Sequence, residues 1–138
     1  MDDKDIEAFK NELKNLKYHK NRSRLIQDQI DEVEYYLNGV RGIGFEERSH
    51  GTNPDEKIDQ RFKLETRRDK LLAEKEHHDR SITYCETILM MCPSDARGMM
   101  VDVYVNKKTL LATGDKYHRS AHGVLTRISS ALKKIGRD

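Results

Sequence analysis

Apolar side chains in this chain recur in alternating steps of three and four residues, and the stripes they make are thin. Ile6, Phe9, Leu13 and Leu16 form the first, and Ile26, Ile30, Val33, Leu37 and Val40 the second. That spacing returns side chains to one face of an α-helix, whereas a half-buried strand needs a period of two. Hydrophobic residues make up 36% of the chain and charged residues an equal 36%, with two prolines and no tryptophan. Such a chain is too polar for one thick globular core. The expectation is an all-α protein in which long, solvent-washed helices carry a compact end.

The first stripe stops over Tyr18 to Ser23, and the second resumes out of phase by about three residues, which predicts a joint near Asn21. Gly39, Gly42, Gly44 and Gly51, with Asn53-Pro54, mark residues 39–54 as a glycine loop, with Val40 to Asn53 outside any helix and Ile43 and Phe45 tucked against one. Its GVRGIG run lacks the preceding strand and the Gly-Lys-Ser/Thr ending of a nucleotide loop. From Asp55 to Met91 the pattern predicts the longest helix, about 50 Å at the usual rise. Its expected inner face is Ile58, Phe62, Leu72, Ile82, Cys85 and Leu89, with Leu64, Leu71 and Ile88 alongside. Acidic and basic residues alternate elsewhere on it (Glu65, Arg67, Arg68, Asp69, Lys70, Glu74, Lys75, Glu76), as on a coiled-coil surface. Residues 1–92 therefore read as a long helical hairpin or coiled coil, an oligomerisation or partner arm. A parallel pairing with a second copy is the alternative.

Residues 93–138 carry a different grammar. Pro93 ends the long helix, and Ser94 caps a helix over Asp95 to Val105, with Asp95 on its N-terminal dipole. Met99, Met100, Val103 and Tyr104 are its core face. Thr109 caps a short helix over Leu110 to Lys116, with Leu110 and Leu111 on one side and Tyr117 closing it. Gly114 near its middle permits a close crossing. His118-Arg119 makes a polar turn, and Ser120 caps a longer helix with an inner stripe of Val124, Leu125, Ile128, Ala131, Leu132 and Ile135. Its outer face starts with Ala121, His122, Thr126, Arg127 and Ser129, side chains suited to base-pair edges in a major groove. With its own caps and stripe, this segment is expected to fold alone. Charge follows the same division: from Pro93 onward nine Lys and Arg face four Asp and Glu, +5, and the preceding part holds seventeen against twenty, −3. A basic end on a slightly acidic arm suits phosphate at one end.

The stretch from Tyr104 to Ile135 resembles the fourth region of sigma-70-type factors, and among small proteins the phage late-gene activators of the RinA and ArpU type. Tyr104-Val105, Asn106-Lys107-Lys108, Leu110-Leu111, the capping Ser120, Val124 and Ala131-Leu132-Lys133-Lys134-Ile135 carry the likeness without gaps. About a third of the chain is covered, and a looser likeness to related phage proteins extends upstream through Gly42-Ile43-Gly44-Phe45. Thr113-Gly114 departs from the family's aliphatic residue followed by alanine, and Ala121 stands where many members have arginine. The resemblance implies a transcription regulator of phage or mobile-element origin that binds double-stranded DNA in a bacterial host. In that reading Ala121, His122 and Thr126 meet base edges behind the Ser120 cap, Lys116, Arg119 and Arg127 hold phosphates, and Lys107 and Lys108 flank the groove. RNA polymerase is a second expected partner, because sigma-like modules dock on it. A homodimer is expected because one such helix reads few base pairs and the arm leaves apolar edges at Leu64 and Leu71. The rival reading is a coiled-coil adaptor that docks on polymerase or another protein without reading DNA.

Other chemistries find little footing. His77-His78 point about 100° apart on a helix, Ser120 separates His118 from His122, and neither pair suits a metal, so these histidines read as solvated or DNA-facing. Glu46-Glu47 are isolated on the loop, and no Ser-His-Asp or Cys-His-Asn signature is present. No enzyme activity, metal or cofactor is expected. Cys85 and Cys92 fit no metal pattern and read as free thiols in a reducing cytoplasm. No apolar run approaches the ~20 residues that span a bilayer, and Met1-Asp2-Asp3-Lys4 starts no signal peptide.

Overall fold

The structure, a computed structural model, describes residues 1–41 and 54–136. It is all-α. In chain order the helices are α1 (Asp3–Lys14), α2 (Leu16–Arg41), α3 (Pro54–Met91), α4 (Ser94–Met100), α5 (Leu110–Tyr117) and α6 (Ala121–Lys133), with α4 running on into a π-helical turn, Val101–Val105. The chain forms two compact units: Met1–Lys20 with Arg80–Asp138, and Asn21–Asp79. A division after residue 92 is thus not where compactness divides it.

The break in the first helical stretch falls at Asn15, not near Asn21. Asp2 caps α1 by accepting the Asp5 N–H (2.8 Å), and Asn15 ends it with its own N–H turned back on the Glu12 and Leu13 carbonyls. α2 then runs unbroken through Tyr18 to Ser23. The gap in the apolar stripe is filled by polar side chains: His19 is half-buried and Ser23 buried. With them the inward positions are 16, 19, 23, 26, 30, 33 and 37, steps of three and four throughout.

In the larger unit α1 is part of the core rather than of an arm. Phe9 and Leu13 are fully buried and share one cluster with Leu16, Cys85, Leu89, Met99, Met100, Val124, Ile128 and Leu132. Helices of 7, 8 and 13 residues (α4, α5 and α6) present too little apolar surface to close a core among themselves. Two polar contacts pin α1 in place. Lys107 Nζ donates to the Lys14 carbonyl at the C-terminus of α1 (3.0 Å), where a cation also meets the negative end of the helix dipole. The Met1 amine donates to the Ile135 carbonyl (2.6 Å). α4 starts at Ser94 behind Pro93, without a side-chain cap, so Ser94 is its first residue and not its cap.

In the smaller unit α2 and α3 pack through Ile26, Ile30, Val33, Leu37 and Leu71, with Leu64 partly covered. The face of α3 that packs is not the one its apolar residues suggest. Ile58 and Phe62 are 67% and 65% exposed, and Leu72 is 46% exposed while Leu71 is 9%. At 100° per residue Ile58, Phe62 and Leu72 lie roughly opposite Cys85, whereas Leu64, Leu71 and His78 follow it at steps of seven. Lys75 and His78 occupy seam positions, and His78 is buried, not solvated. Two polar bonds between the helices hold the register: Ser23 Oγ donates to Asp79 Oδ1 (2.6 Å) and Arg22 to Glu74 (2.8 Å), while Lys75 Nζ, one turn before Asp79 on α3, donates to its Oδ2 (2.7 Å). The hydrogen bonds from Lys75 and Ser23 hold the Asp79 carboxyl below its usual range.

A direct check separates the two leucines. Leu71→Lys is expected to lower the stability of this unit by at least about 2 kcal/mol in urea unfolding, and Leu72→Lys to stay within about 0.5 kcal/mol of wild type. Equal effects would place the seam elsewhere. The glycine-rich stretch 42–53, with Ile43, Phe45, Glu46 and Glu47, lies outside the described residues; Gly39, Val40 and Arg41, expected in a loop, are helical.

Candidate nucleic-acid interface

Local chemistry sets the helix-turn-helix. Thr109 Oγ1 accepts the Ala112 N–H (3.1 Å) and so caps α5. α5 stops at His118, which adopts the left-handed conformation (φ 57°, ψ 43°), a region histidine visits more readily than most residues. The next N–H, of Arg119, donates back to the Gly114 carbonyl (2.8 Å). Ser120 Oγ then accepts the Gly123 N–H (3.0 Å) and opens α6. Gly114 is required at this crossing, because a Cβ there would run into the Arg119 carbonyl oxygen. Val124, Ile128 and Leu132 are fully buried on the inner face of α6. Leu110 packs inward, but its neighbour Leu111 is exposed.

The outer face of α6 is open along its length. His122, Leu125, Thr126, Ser129, Lys133 and Lys134 line a shallow depression of about 580 Å³. Ala121, His122 and Thr126 do come together on this face, with Ala121 partly covered and the other two exposed. Leu125, expected inside, is 36% exposed and lines the depression; turned 100° from Val124, it stands at the edge of the buried stripe. Lys133 and Lys134 were also missing from the expected set. Their spacing of seven and eight from Thr126 was the available signal, since it returns them to the same side of the helix.

The basic residues divide. Arg127 spends its guanidinium on Asp95 in a bidentate pair (Nε to Oδ2 2.8 Å, Nη2 to Oδ1 2.9 Å), joining α6 to the first turn of α4. Lys107 caps α1. Lys116 Nζ meets Asp102 Oδ2 at 3.0 Å and Lys108 Nζ meets its Oδ1 at 3.7 Å. Asp102 sits buried in the π-helical turn, with its carbonyl accepting the Lys108 N–H (2.9 Å). Burial pushes its carboxyl up, but the hydrogen bond from Lys116 and the charges of Lys108 and Lys116 outweigh this and lower it. Of the expected phosphate ligands, then, Arg127 is built into the fold, while Lys107, expected to flank the groove, is exposed and hydrogen-bonds the end of α1. Lys108 and Lys116 remain exposed at the surface while paired, and Arg119 is exposed with no ion pair among the described residues. Ser120 acts as a cap and offers its oxygen to the helix.

The Asp95–Arg127 pair carries a pH signature. The hydrogen bond from Arg127 holds the Asp95 carboxyl at about 2, against 3.8 for a free side chain. A depressed folded-state pKa means that the contribution is complete above pH ~4 and is lost as pH falls towards 2. Arg127→Met is expected to flatten that part of the acid-unfolding profile relative to wild type, measured by circular dichroism. Parallel profiles would show that the pair does not stabilise the fold.

Among the described residues no group of three histidine, cysteine or acidic side chains could hold a metal, and no helix is long and apolar enough to cross a membrane. Cys85 and Cys92 are free and buried; burial pushes the Cys85 thiol up to about 11 and raises that of Cys92, which leaves little reactive thiolate at neutral pH. Comparison with protein-family models, with curated proteins and with solved structures finds no match to this chain.

Proposed function

We propose that this chain is a sequence-specific DNA-binding regulator of transcription whose α6 enters the major groove. The observation that carries the reading is the outer face of α6: a Ser120-capped helix, crossed tightly by α5 at Gly114, leaves a continuous row of small and hydrogen-bonding side chains uncovered. A helix in this setting fits the groove, and the cations around it fit the phosphates. Arg119 flanks its start, Lys133 and Lys134 its end, and Lys108 and Lys116 lie on the α5 side. A late-gene activator of phage or mobile-element origin, with RNA polymerase as a second partner, is the form this takes on the sequence resemblance. The helical pair of α2 and α3 serves as the arm that brings two copies together. Ile58 and Phe62, exposed on α3, offer apolar surface for that contact in place of Leu64 and Leu71.

One observation favours the adaptor reading. Arg127 is held by Asp95, which removes one cation from the expected phosphate set, and Lys107, expected to flank the groove, hydrogen-bonds the end of α1. The two readings separate on salt dependence. Full-length protein titrated with random duplex DNA at rising salt should show a steep fall in affinity, and the triple substitution Arg119→Ala, Lys133→Ala, Lys134→Ala should lower the log–log slope by roughly 0.9 per lost contact. No measurable binding at low salt would reject DNA and leave the adaptor.

A further inference from the structure

The outer face of α6 is unusual for what it omits. Arginine, lysine, asparagine, glutamine and the acidic residues are the side chains that read guanine, adenine and cytosine edges. Towards the start of this helix, where a recognition helix reads bases, none of them lines the depression; Lys133 and Lys134 line only its far end, and Arg127 is turned away and bound to Asp95. Among the lining residues is Leu125, an apolar side chain 36% exposed at the edge of a face that is otherwise polar. Beside it Thr126 has already committed its hydroxyl: Oγ1 donates to the His122 carbonyl at 2.9 Å. With its hydrogen used, that oxygen can only accept, and beside it Thr126 presents its γ-methyl. Ala121, a turn before Leu125, adds a further, partly covered methyl. Apolar side chains on a helix in the major groove have one matching feature on a base edge, the C5-methyl of thymine.

Resting on the DNA-binding reading, we infer that α6 selects its site by thymine methyl groups, with Leu125 as the principal specificity-determining residue and Thr126 as its neighbour. His122, exposed on the same face, supplies the hydrogen bond that distinguishes the flanking position. Double-stranded RNA is disfavoured twice over, since its uracils lack the methyl and its deep, narrow major groove does not admit a helix.

The test uses the full chain. Duplexes are selected from a random DNA pool, and the best is compared with a copy in which deoxyuridine replaces every thymidine. Uracil keeps the charge and the hydrogen-bonding edge and loses only the methyl. Burial of one methyl corresponds to about four-fold in affinity, and of two to about fifteen-fold, so the deoxyuridine copy should bind at least about four-fold more weakly. Leu125→Ala, at an exposed position, should keep the helicity of wild type while its preference for thymine shrinks by about four-fold. Any effect of the methyls on duplex shape would persist in that variant. Equal affinity of wild type for the two duplexes, or an undiminished preference in Leu125→Ala, overturns the inference and leaves DNA binding intact. Selection that recovers no duplex at all removes both.

Discussion

Phe9→Ala should strongly destabilise the helix-turn-helix, although Phe9 stands near the start of the chain and the helix-turn-helix at its end. Phe9 is fully buried in the cluster that also holds Met99, Met100, Val124, Ile128 and Leu132. Removing a phenylalanine from such a core costs about 3–5 kcal/mol, through lost transfer energy and the cavity left behind. Domains of this size are stable by only about 5–15 kcal/mol. A urea titration followed by circular dichroism should therefore show the midpoint of the larger unit falling steeply. Residues 93–138 alone, which read as self-sufficient, should give no cooperative transition, because Ile6, Phe9, Leu13, Leu16, Cys85 and Leu89 are missing from their core. A fragment that unfolds cooperatively with the helicity of the intact segment would show that α1 is an accessory. So would a Phe9→Ala loss below about 1 kcal/mol.

Gly114→Val is expected to disable the site even where the rest of the fold survives. A side chain at this position meets the Arg119 carbonyl, a backbone atom that cannot swing aside as a flexible side-chain tip could. Overpacking of this kind costs typically 1–3 kcal/mol. Relief requires moving the His118–Ser120 turn, and Ser120 caps α6. Gly114→Ala should show a smaller version of the same effect. Gly98→Ala makes a useful contrast, since a Cβ there meets the hydroxyl end of the Tyr117 side chain, which can rotate away. Thermal unfolding of the three variants should rank Gly98→Ala mildest and Gly114→Val most severe. A Gly114→Val protein as stable as wild type would mean that the two helices do not cross as closely as this geometry has them.

Much of the candidate site was legible in the residues. Thr109 and Ser120 are caps in fact, His118-Arg119 is the turn, and Val124, Ile128 and Leu132 face inward. These are local matters: a hydroxyl before a helix and a repeat of three and four state them without reference to the rest of the molecule. Leu125 was misplaced because a single helix gives the direction of its apolar stripe but not its width, and the width depends on how far the neighbouring helices wrap round it. That Arg127, expected on a phosphate, is paired within the fold was hidden for a related reason. A basic residue looks alike in sequence whether it awaits a phosphate or is already bound to Asp95 or to the end of α1.

The all-α class, the stop at Pro93 and the caps of α5 and α6 are determined by the sequence itself, since helix periodicity and capping act within a turn or two of the chain. The phase of α3 was not, because Ile58, Phe62 and Leu72 are apolar yet lie away from the seam that Leu71, His78 and Cys85 make. Polar partners settle such a seam: Ser23 with Asp79 and Arg22 with Glu74 take positions that a search for apolar residues passes over. The membership of the compact units is likewise decided only in three dimensions. Phe9 and Ile128 state their hydrophobicity separately, and that one fills the core of the other depends on the path of the chain between them, for burial free energy follows the surface removed from water and takes no account of distance along the sequence.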